Sequence, residues 1–104
     1  MMSEVVRRES YLDYWRLTKE EKENLIARLT AELPALRGAV KATQDDIANA
    51  IGVSRQTYNA IESNKRKMTW NTFLSLLFVF SQNKETNVLL GIFGIDNEQM
   101  KKIY

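Results

Sequence analysis

The chain of 104 residues is long enough for one hydrophobic core, and its 44% hydrophobic and 27% charged residues are typical of a globular domain. Cysteine and histidine are both absent, which excludes disulfides, thiolate chemistry and histidine-based metal sites or general bases. The net charge is only +2. Residues 37–67 nevertheless carry six basic and three acidic side chains, so the positive excess lies in the middle third, which is weak support for an anionic partner.

Nothing in the sequence predicts a membrane span or a secretion signal. The most apolar runs, residues 73–80 and 88–95, are far shorter than the ~20 residues that cross a bilayer. The first residues lack the basic-then-apolar order of a signal peptide. We therefore expect a cytoplasmic protein with no membrane partner.

The first predicted helix begins at a capping box. Thr18 is followed by Glu21, and apolar residues then recur at helical spacing, so a helix is expected over residues 19–33. Pro34 is expected to break, kink or restart this helix, because its ring lacks an N–H and clashes with the preceding turn. A short helical stretch over residues 36–40 follows.

Two short helices are predicted next. Thr43 caps the first, with Asp46 in the capping-box position, and Gly52 ends it. Ser54 caps the second, which ends near Asn64, a residue that tolerates the left-handed conformation.

A fourth helix is predicted after Thr69, and it is apolar on nearly every side as far as Phe80, so we expect it to be covered from more than one direction. Shorter helices are expected at about residues 84–93 and 97–103. No stretch alternates with period two. The predicted fold is therefore an all-α bundle of about five helices, with extra N- and C-terminal helical segments.

The segment from Thr43 to Lys67 has the pattern of a helix-turn-helix. A tight turn over residues 51–54 separates the two short helices, and the small residue Ala48 lies where they must cross closely. Val53 and Ile61 are placed to pack between them.

The second helix of this pair presents Arg55, Gln56 and Asn59 outward, and these side-chain types can form bidentate hydrogen bonds to guanine or adenine edges in the major groove. The following cluster Lys65, Arg66 and Lys67 is placed for phosphates, with a solvated basic loop as the alternative. The Thr57 hydroxyl is a further candidate for phosphate, with packing or exposure as the alternative.

These residues resemble a known family. The shared positions resemble the helix-turn-helix of the lambdoid phage repressor/Cro family, also called XRE-type regulators, and they are Thr43, Gln44, Ile47, Ala48, Gly52, Ser54, Arg55, Gln56, Thr57, Ile61, Glu62 and Lys65. The resemblance extends loosely over residues 29–80. It departs from the family at Asn64, where glycine is common, and at Met68, where proline is common. It implies a lambda-repressor-like DNA-binding fold.

The resemblance also implies roles for individual residues. Gln44 would bond a backbone phosphate, and Arg55 and Gln56 would read base edges. Arg37 and Glu62 would form a partly buried structural ion pair rather than contact DNA. Ala60 could offer only a methyl contact to thymine. Three parts of the chain follow from this reading: residues 1–17 as an N-terminal extension, 18–83 as the DNA-binding domain with its helix-turn-helix core at 43–63, and 84–104 as a C-terminal helical extension.

The sequence predicts a small transcriptional regulator, most simply a repressor, that binds a palindromic double-stranded operator as a homodimer. Apolar residues in the last third are the candidate interface, with covering of the monomer's own core as the alternative: Phe78, Phe80, Leu89, Leu90, Ile92 and Phe93. The aromatic residues Tyr11, Tyr14 and Trp15 are expected to pack against the domain or a partner chain.

The main alternative is an antitoxin that binds a toxin protein as well as its own promoter. The two terminal extensions would suit such a partner and would equally suit a homodimer. We expect no cofactor, no metal and no enzymatic activity, because the adjacent Asp45 and Asp46 are explained by helix capping and no glycine-rich phosphate loop is present.

Overall fold

The computed structural model describes residues 17–95, which contain five helices and no strand. The helices are α1 (Lys19–Ala39), α2 (Gln44–Ile51), α3 (Arg55–Glu62), α4 (Trp70–Ser81) and α5 (Lys84–Ile92). The all-α prediction is confirmed. The helix expected over residues 97–103 lies outside the described residues, as do Tyr11, Tyr14 and Trp15.

Helix α1 is longer than the sequence predicts, because it runs through Pro34 without ending. The loss of one backbone hydrogen bond and the ring clash cost about 3 kcal/mol. Four apolar residues offset this cost, since their helical spacing continues across the proline and all are buried: Ile26, Leu29, Leu33 and Leu36. Each buried side chain contributes roughly 1.5–3 kcal/mol, and a break at residue 34 would take Leu36 out of register with the others. The expected separate stretch over residues 36–40 is thus the last part of α1.

The helix starts follow the predicted caps. The Thr18 and Thr43 hydroxyls each accept a hydrogen bond from the third helical N–H, and the Glu21 and Asp46 carboxylates accept from the backbone N–H of Thr18 and Thr43 in turn. Ser54 accepts from the N–H of Thr57 in the same way at the start of α3. These local bonds fix where each helix of the helix-turn-helix pair begins.

The helix ends use residues with positive φ. Gly52 ends α2 at φ 80, while Lys41 after α1 and Asn64 after α3 reach φ 57 and φ 64 without being glycine. The backbone N–H of Ala42 donates to Arg37 at 3.0 Å and that of Lys65 donates to Ala60 at 2.8 Å. Both pairs have the six-to-one spacing of the Schellman motif, which satisfies the last carbonyls of each helix.

Replacing Lys41 with glycine is expected to stabilise the fold by about 0.5–1 kcal/mol, because glycine reaches positive φ without the Cβ clash that lysine incurs. Urea unfolding followed by circular dichroism measures this. Lys41→Ala is the matched control, since it removes the charge but keeps the clash, and it is expected to give no gain. A Lys41→Gly variant less stable than the wild type would contradict the strain argument.

Helix α5 belongs to the same core as the helix-turn-helix. Leu90 and Ile95 are fully buried, and the Arg28 side chain on α1 donates to the Gly94 carbonyl at 3.1 Å. The buried Thr86 hydroxyl donates to the carbonyl of Phe80 near the end of α4. The described part of the expected C-terminal extension, residues 84–95, therefore packs on α1 and α4.

Candidate nucleic-acid interface

Helix α3 has one buried face and one exposed face. Tyr58 and Ile61 are buried against the rest of the domain, at 0% and 2% exposure. Arg55, Gln56 and Asn59 are exposed. A helix fixed on one side by core residues holds its other side rigidly, so these three polar side chains form one directed surface.

A charge pair attaches α3 to the end of α1. The Arg37 guanidinium donates from Nε to Glu62 Oε1 at 3.0 Å and from Nη2 to Glu62 Oε2 at 2.8 Å, and its Nη1 donates to the Ala42 carbonyl at 3.0 Å. The side chains are 23% and 9% exposed. Arg37 and Glu62 thus form a bidentate, largely buried pair, and Arg37 does not project toward a ligand.

The pKa of Glu62 reflects this pairing. Burial by itself would raise the pKa of this carboxyl, but hydrogen bonding from Arg37 and Gln44, with the nearby Tyr58 hydroxyl, outweighs burial and lowers it. The pKa of Arg37 is raised, chiefly by the hydrogen bond to Glu62. Glu62 is therefore an anion in the folded chain and can only accept hydrogen bonds.

The Tyr58 hydroxyl lies beside this pair without a hydrogen-bond partner of acceptable geometry. Burial and the adjacent Glu62 carboxylate raise the pKa of the phenol well above its ordinary value, so it stays neutral. A buried polar group without a partner carries a desolvation cost of about 1–3 kcal/mol.

Tyr58→Phe is therefore expected to leave the free energy of unfolding unchanged or to raise it by up to about 1 kcal/mol, because it removes a hydroxyl that has no compensating bond. Chemical denaturation of the two proteins tests this. Tyr58→Leu, which also removes ring volume, is expected to be destabilising and serves as the comparison. A loss of more than 1 kcal/mol in Tyr58→Phe would show that the hydroxyl is bonded in solution.

Gln44 and Asn59 are joined to the charge pair. Gln44, half-buried at the start of α2, donates from Nε2 to Glu62 Oε2 at 3.3 Å. Asn59 on α3 donates from Nδ2 to Gln44 Oε1 at 3.0 Å. The sequence gives these residues separate roles, and no spacing in the sequence predicts that their side chains meet.

Arg55 faces an acidic neighbour that the sequence analysis assigns to helix capping. Its Nε lies 3.7 Å from Oδ1 of Asp45, with the two side chains 65% and 72% exposed. Asp46 performs the capping, and its hydrogen bonds with Thr43 lower its pKa. An ion pair this exposed contributes about 0–1 kcal/mol, so phosphate or a base edge can readily replace Asp45 as the partner of Arg55.

The candidate phosphate ligands are placed differently from one another. Lys65 and Arg66 are exposed in the turn after α3. Lys67 Nζ lies 3.2 Å from Oε2 of Glu23 on α1, again with both side chains largely exposed. The Thr57 hydroxyl accepts from the Ser54 hydroxyl at 3.0 Å, so it takes part in the cap of its own helix.

The candidate dimer residues divide into two groups. Phe80 and Leu90 are 1% and 0% exposed within the single chain, so they belong to its core and offer no surface to a second copy. Leu89 and Phe93 are partly buried against that core. Phe78 and Ile92 are 65% and 70% exposed. Helix α4 contacts α1, α2 and α5, so it is covered from more than one direction as expected, and Phe78 lies on the side that remains open. Val88 and Leu74 are also exposed, and neither was among the expected interface residues.

Comparison with known proteins identifies the type of domain to which the central segment is similar. Residues 35–69 match a family model described as Helix-turn-helix, and this range spans the end of α1, both helices of the pair and the turn before α4. The class is a helix-turn-helix DNA-binding domain. Within that class, the match supports the resemblance of this segment to the Cro/repressor type, the XRE family. No curated protein and no solved structure gives a significant match to the chain.

Across residues 17–95, no helix combines the length and apolar character needed to cross a membrane.

Proposed function

We propose that the protein binds double-stranded DNA in a sequence-specific manner and acts as a small transcriptional repressor. The observation that carries this proposal is the exposed face of α3, where Arg55, Gln56 and Asn59 project from a helix whose opposite face is buried. Arginine, glutamine and asparagine are the side chains that form bidentate pairs with guanine and adenine in the major groove. Arg55 and Gln56, in the first turn of α3, are assigned to base reading.

Phosphate contacts would position this face on the duplex. Gln44 lies at the first residue of α2, where helix N–H groups favour an anion, and the turn after α3 supplies Lys65, Arg66 and Lys67. Thr57 would add a hydroxyl donor. Such contacts carry little sequence information, and their affinity falls steeply with salt. The absence of enzymatic activity stays a prediction.

Fluorescence anisotropy tests the proposal most simply. The protein is titrated into a labelled duplex from the region upstream of its own gene and into a scrambled duplex of equal composition, at several salt concentrations. We expect the upstream duplex to bind at least tenfold more tightly, and both affinities to fall with log salt. Failure of either duplex to bind at low salt would contradict DNA binding by this domain alone.

A homodimer would place two copies of α3 in successive major grooves about 34 Å apart. The exposed apolar residues Leu74 and Phe78 on α4, and Val88 and Ile92 on α5, supply the proposed interface. Each pair is spaced by four residues, so its members share one face of their helix. Exposed apolar side chains grouped in this way are typical of protein contact surfaces.

Sedimentation velocity with the Phe78→Lys variant tests this interface. The wild type is expected to sediment as a dimer at micromolar concentration and the variant as a monomer, because the interface cannot bury an unpaired ammonium group. Ala31→Lys, at an exposed position on α1, is the matched control and should remain dimeric. A wild type that is monomeric with operator DNA present would contradict the homodimer and favour another occupant of this surface, such as a toxin-type partner.

A further inference from the structure

The side chains that connect the three helices form a directed hydrogen-bond chain. Arg37 donates twice to Glu62, Gln44 donates to Glu62 at 3.3 Å, and Asn59 donates to Gln44 at 3.0 Å. We call the last three residues, Glu62, Gln44 and Asn59, the amide relay. It begins at a carboxylate that is 9% exposed and ends at an exposed side chain on the groove-facing side of α3.

The direction of the amide relay is set at its buried end. A carboxylate can only accept hydrogen bonds, so the Gln44 amide must turn its NH2 group toward Glu62. The Gln44 oxygen then points to Asn59, so the Asn59 side chain must present its NH2 group as the donor. Turning either amide over would bring two acceptors together or two donors together. The ionised Glu62 therefore determines which atoms of Asn59 remain for a ligand.

Those remaining atoms match one base. An asparagine NH2 carries two hydrogens, and the relay uses one, so Asn59 keeps Oδ1 as an acceptor beside one N–H donor. Adenine presents the complementary pattern in the major groove, a donor at N6 beside an acceptor at N7. Guanine presents two acceptors, O6 and N7, so the Asn59 Oδ1 atom would face another acceptor and form no hydrogen bond.

We propose that Glu62, acting through Gln44, fixes the amide of Asn59 in the orientation that selects adenine at one position of each half-site. The inference rests on the proposed function and assigns a base to a residue of that site. Glu62 is a positioning residue, because it does not reach the groove. Without the relay the Asn59 amide can turn, and the distinction between adenine and guanine is reduced.

The test compares base preferences after selection of bound duplexes from a randomised library. Asn59→Ala identifies the operator position that Asn59 reads. Gln44→Lys keeps a donor for Glu62 and a cation for phosphate but cannot accept from Asn59. Ala50→Lys, exposed on the same helix outside the relay, controls for the added charge.

We expect the preference for adenine over guanine at the Asn59 position to fall about fivefold or more in Gln44→Lys, with the preferences at other positions retained. Ala50→Lys should keep all of them. Unchanged adenine preference in Gln44→Lys, or an Asn59→Ala variant with no altered position, would overturn the inference.

An NMR measurement on the protein without DNA distinguishes failure of the amide relay from failure of the proposed DNA binding. In a proton–nitrogen NMR spectrum one of the two side-chain amide protons of Asn59 should lie downfield of its position in a solvent-exposed asparagine and should exchange slowly with water. Gln44→Lys should return this proton to an ordinary shift and to rapid exchange. Ordinary shifts and rapid exchange of both protons in the wild type would overturn the relay itself. Absence of any enriched duplex alongside an intact relay would instead overturn DNA recognition, and the adenine assignment with it.

Discussion

The Arg37→Met variant is expected to be less stable than the wild type by about 2–4 kcal/mol. The loss leaves the Glu62 carboxylate, 9% exposed, without its bidentate partner, and it also removes the bond to the Ala42 carbonyl. This is a large fraction of the 5–15 kcal/mol that holds a domain together. Urea unfolding followed by circular dichroism at pH 7 measures the difference.

The double variant Arg37→Met/Glu62→Leu is the control. Replacing a buried ion pair by apolar residues of similar volume is often neutral, so the double variant is expected to regain most of the lost stability. A single variant within 0.5 kcal/mol of the wild type would contradict the view that this pair attaches α3 to α1.

The same pair makes stability depend on pH. The pKa of Glu62 is lower in the folded chain than the ordinary value of about 4.3 for an unfolded glutamate. Its stabilisation is therefore complete above that ordinary value and is lost as the pH falls through the lowered pKa. The pKa of Asp46 is also lowered, by its hydrogen bonds with Thr43, so Asp46 adds a pH dependence of the same sign. The double variant lacks Glu62, so we expect the wild type to lose stability relative to the double variant as the pH falls below about 4.3.

The second large effect is expected on DNA recognition. The Arg55→Ala/Gln56→Ala variant should lose about 2–6 kcal/mol of the preference for its operator over a scrambled duplex, because each bidentate base contact supplies roughly 1–3 kcal/mol of discrimination. Salt-dependent binding to the scrambled duplex should largely remain, since the proposed phosphate contacts are assigned to other residues. Competition measured by fluorescence anisotropy gives both quantities.

Asp45→Asn is the matched control for this experiment. It removes the carboxylate that lies 3.7 Å from Arg55 but leaves Arg55 and Gln56 in place. We expect it to keep the operator preference and to bind both duplexes somewhat more tightly, because a negative charge near the phosphates is gone. Operator preference that survives in the Arg55→Ala/Gln56→Ala variant would show that other residues read the bases.

The helix starts and ends could be predicted from the sequence because their causes are local. Thr18, Thr43 and Ser54 act on N–H groups within three residues, and Gly52 and Asn64 supply the positive φ that their own helix ends require. The surface of α3 was predictable for a related reason. The apolar residues of α3 recur at helical spacing and mark its buried face, so the remaining positions must lie on the exposed face.

The predictions that the structure corrects depend on burial between distant parts of the chain. Pro34 reads locally as a helix breaker, but burial of Leu33 and Leu36 keeps α1 intact. The sequence leaves open whether Phe80 and Leu90 form an interface or cover the core, and the packing of α5 on α1 and α4 buries both within the single chain. The amide relay joins residues separated by 15 and 18 positions, and it depends on side-chain orientations that no spacing rule determines.

An NMR titration of nitrogen-15-labelled protein with operator duplex tests whether the exposed face of α3 is the surface that binds DNA. We expect the largest shifts at Gln44, at residues 55–59 and at residues 65–67, while the α5 signals change little apart from any dimer contacts. Shifts concentrated on α5 and the exposed side of α4, with α3 unchanged, would contradict the claim and show that the chain contacts DNA through another surface.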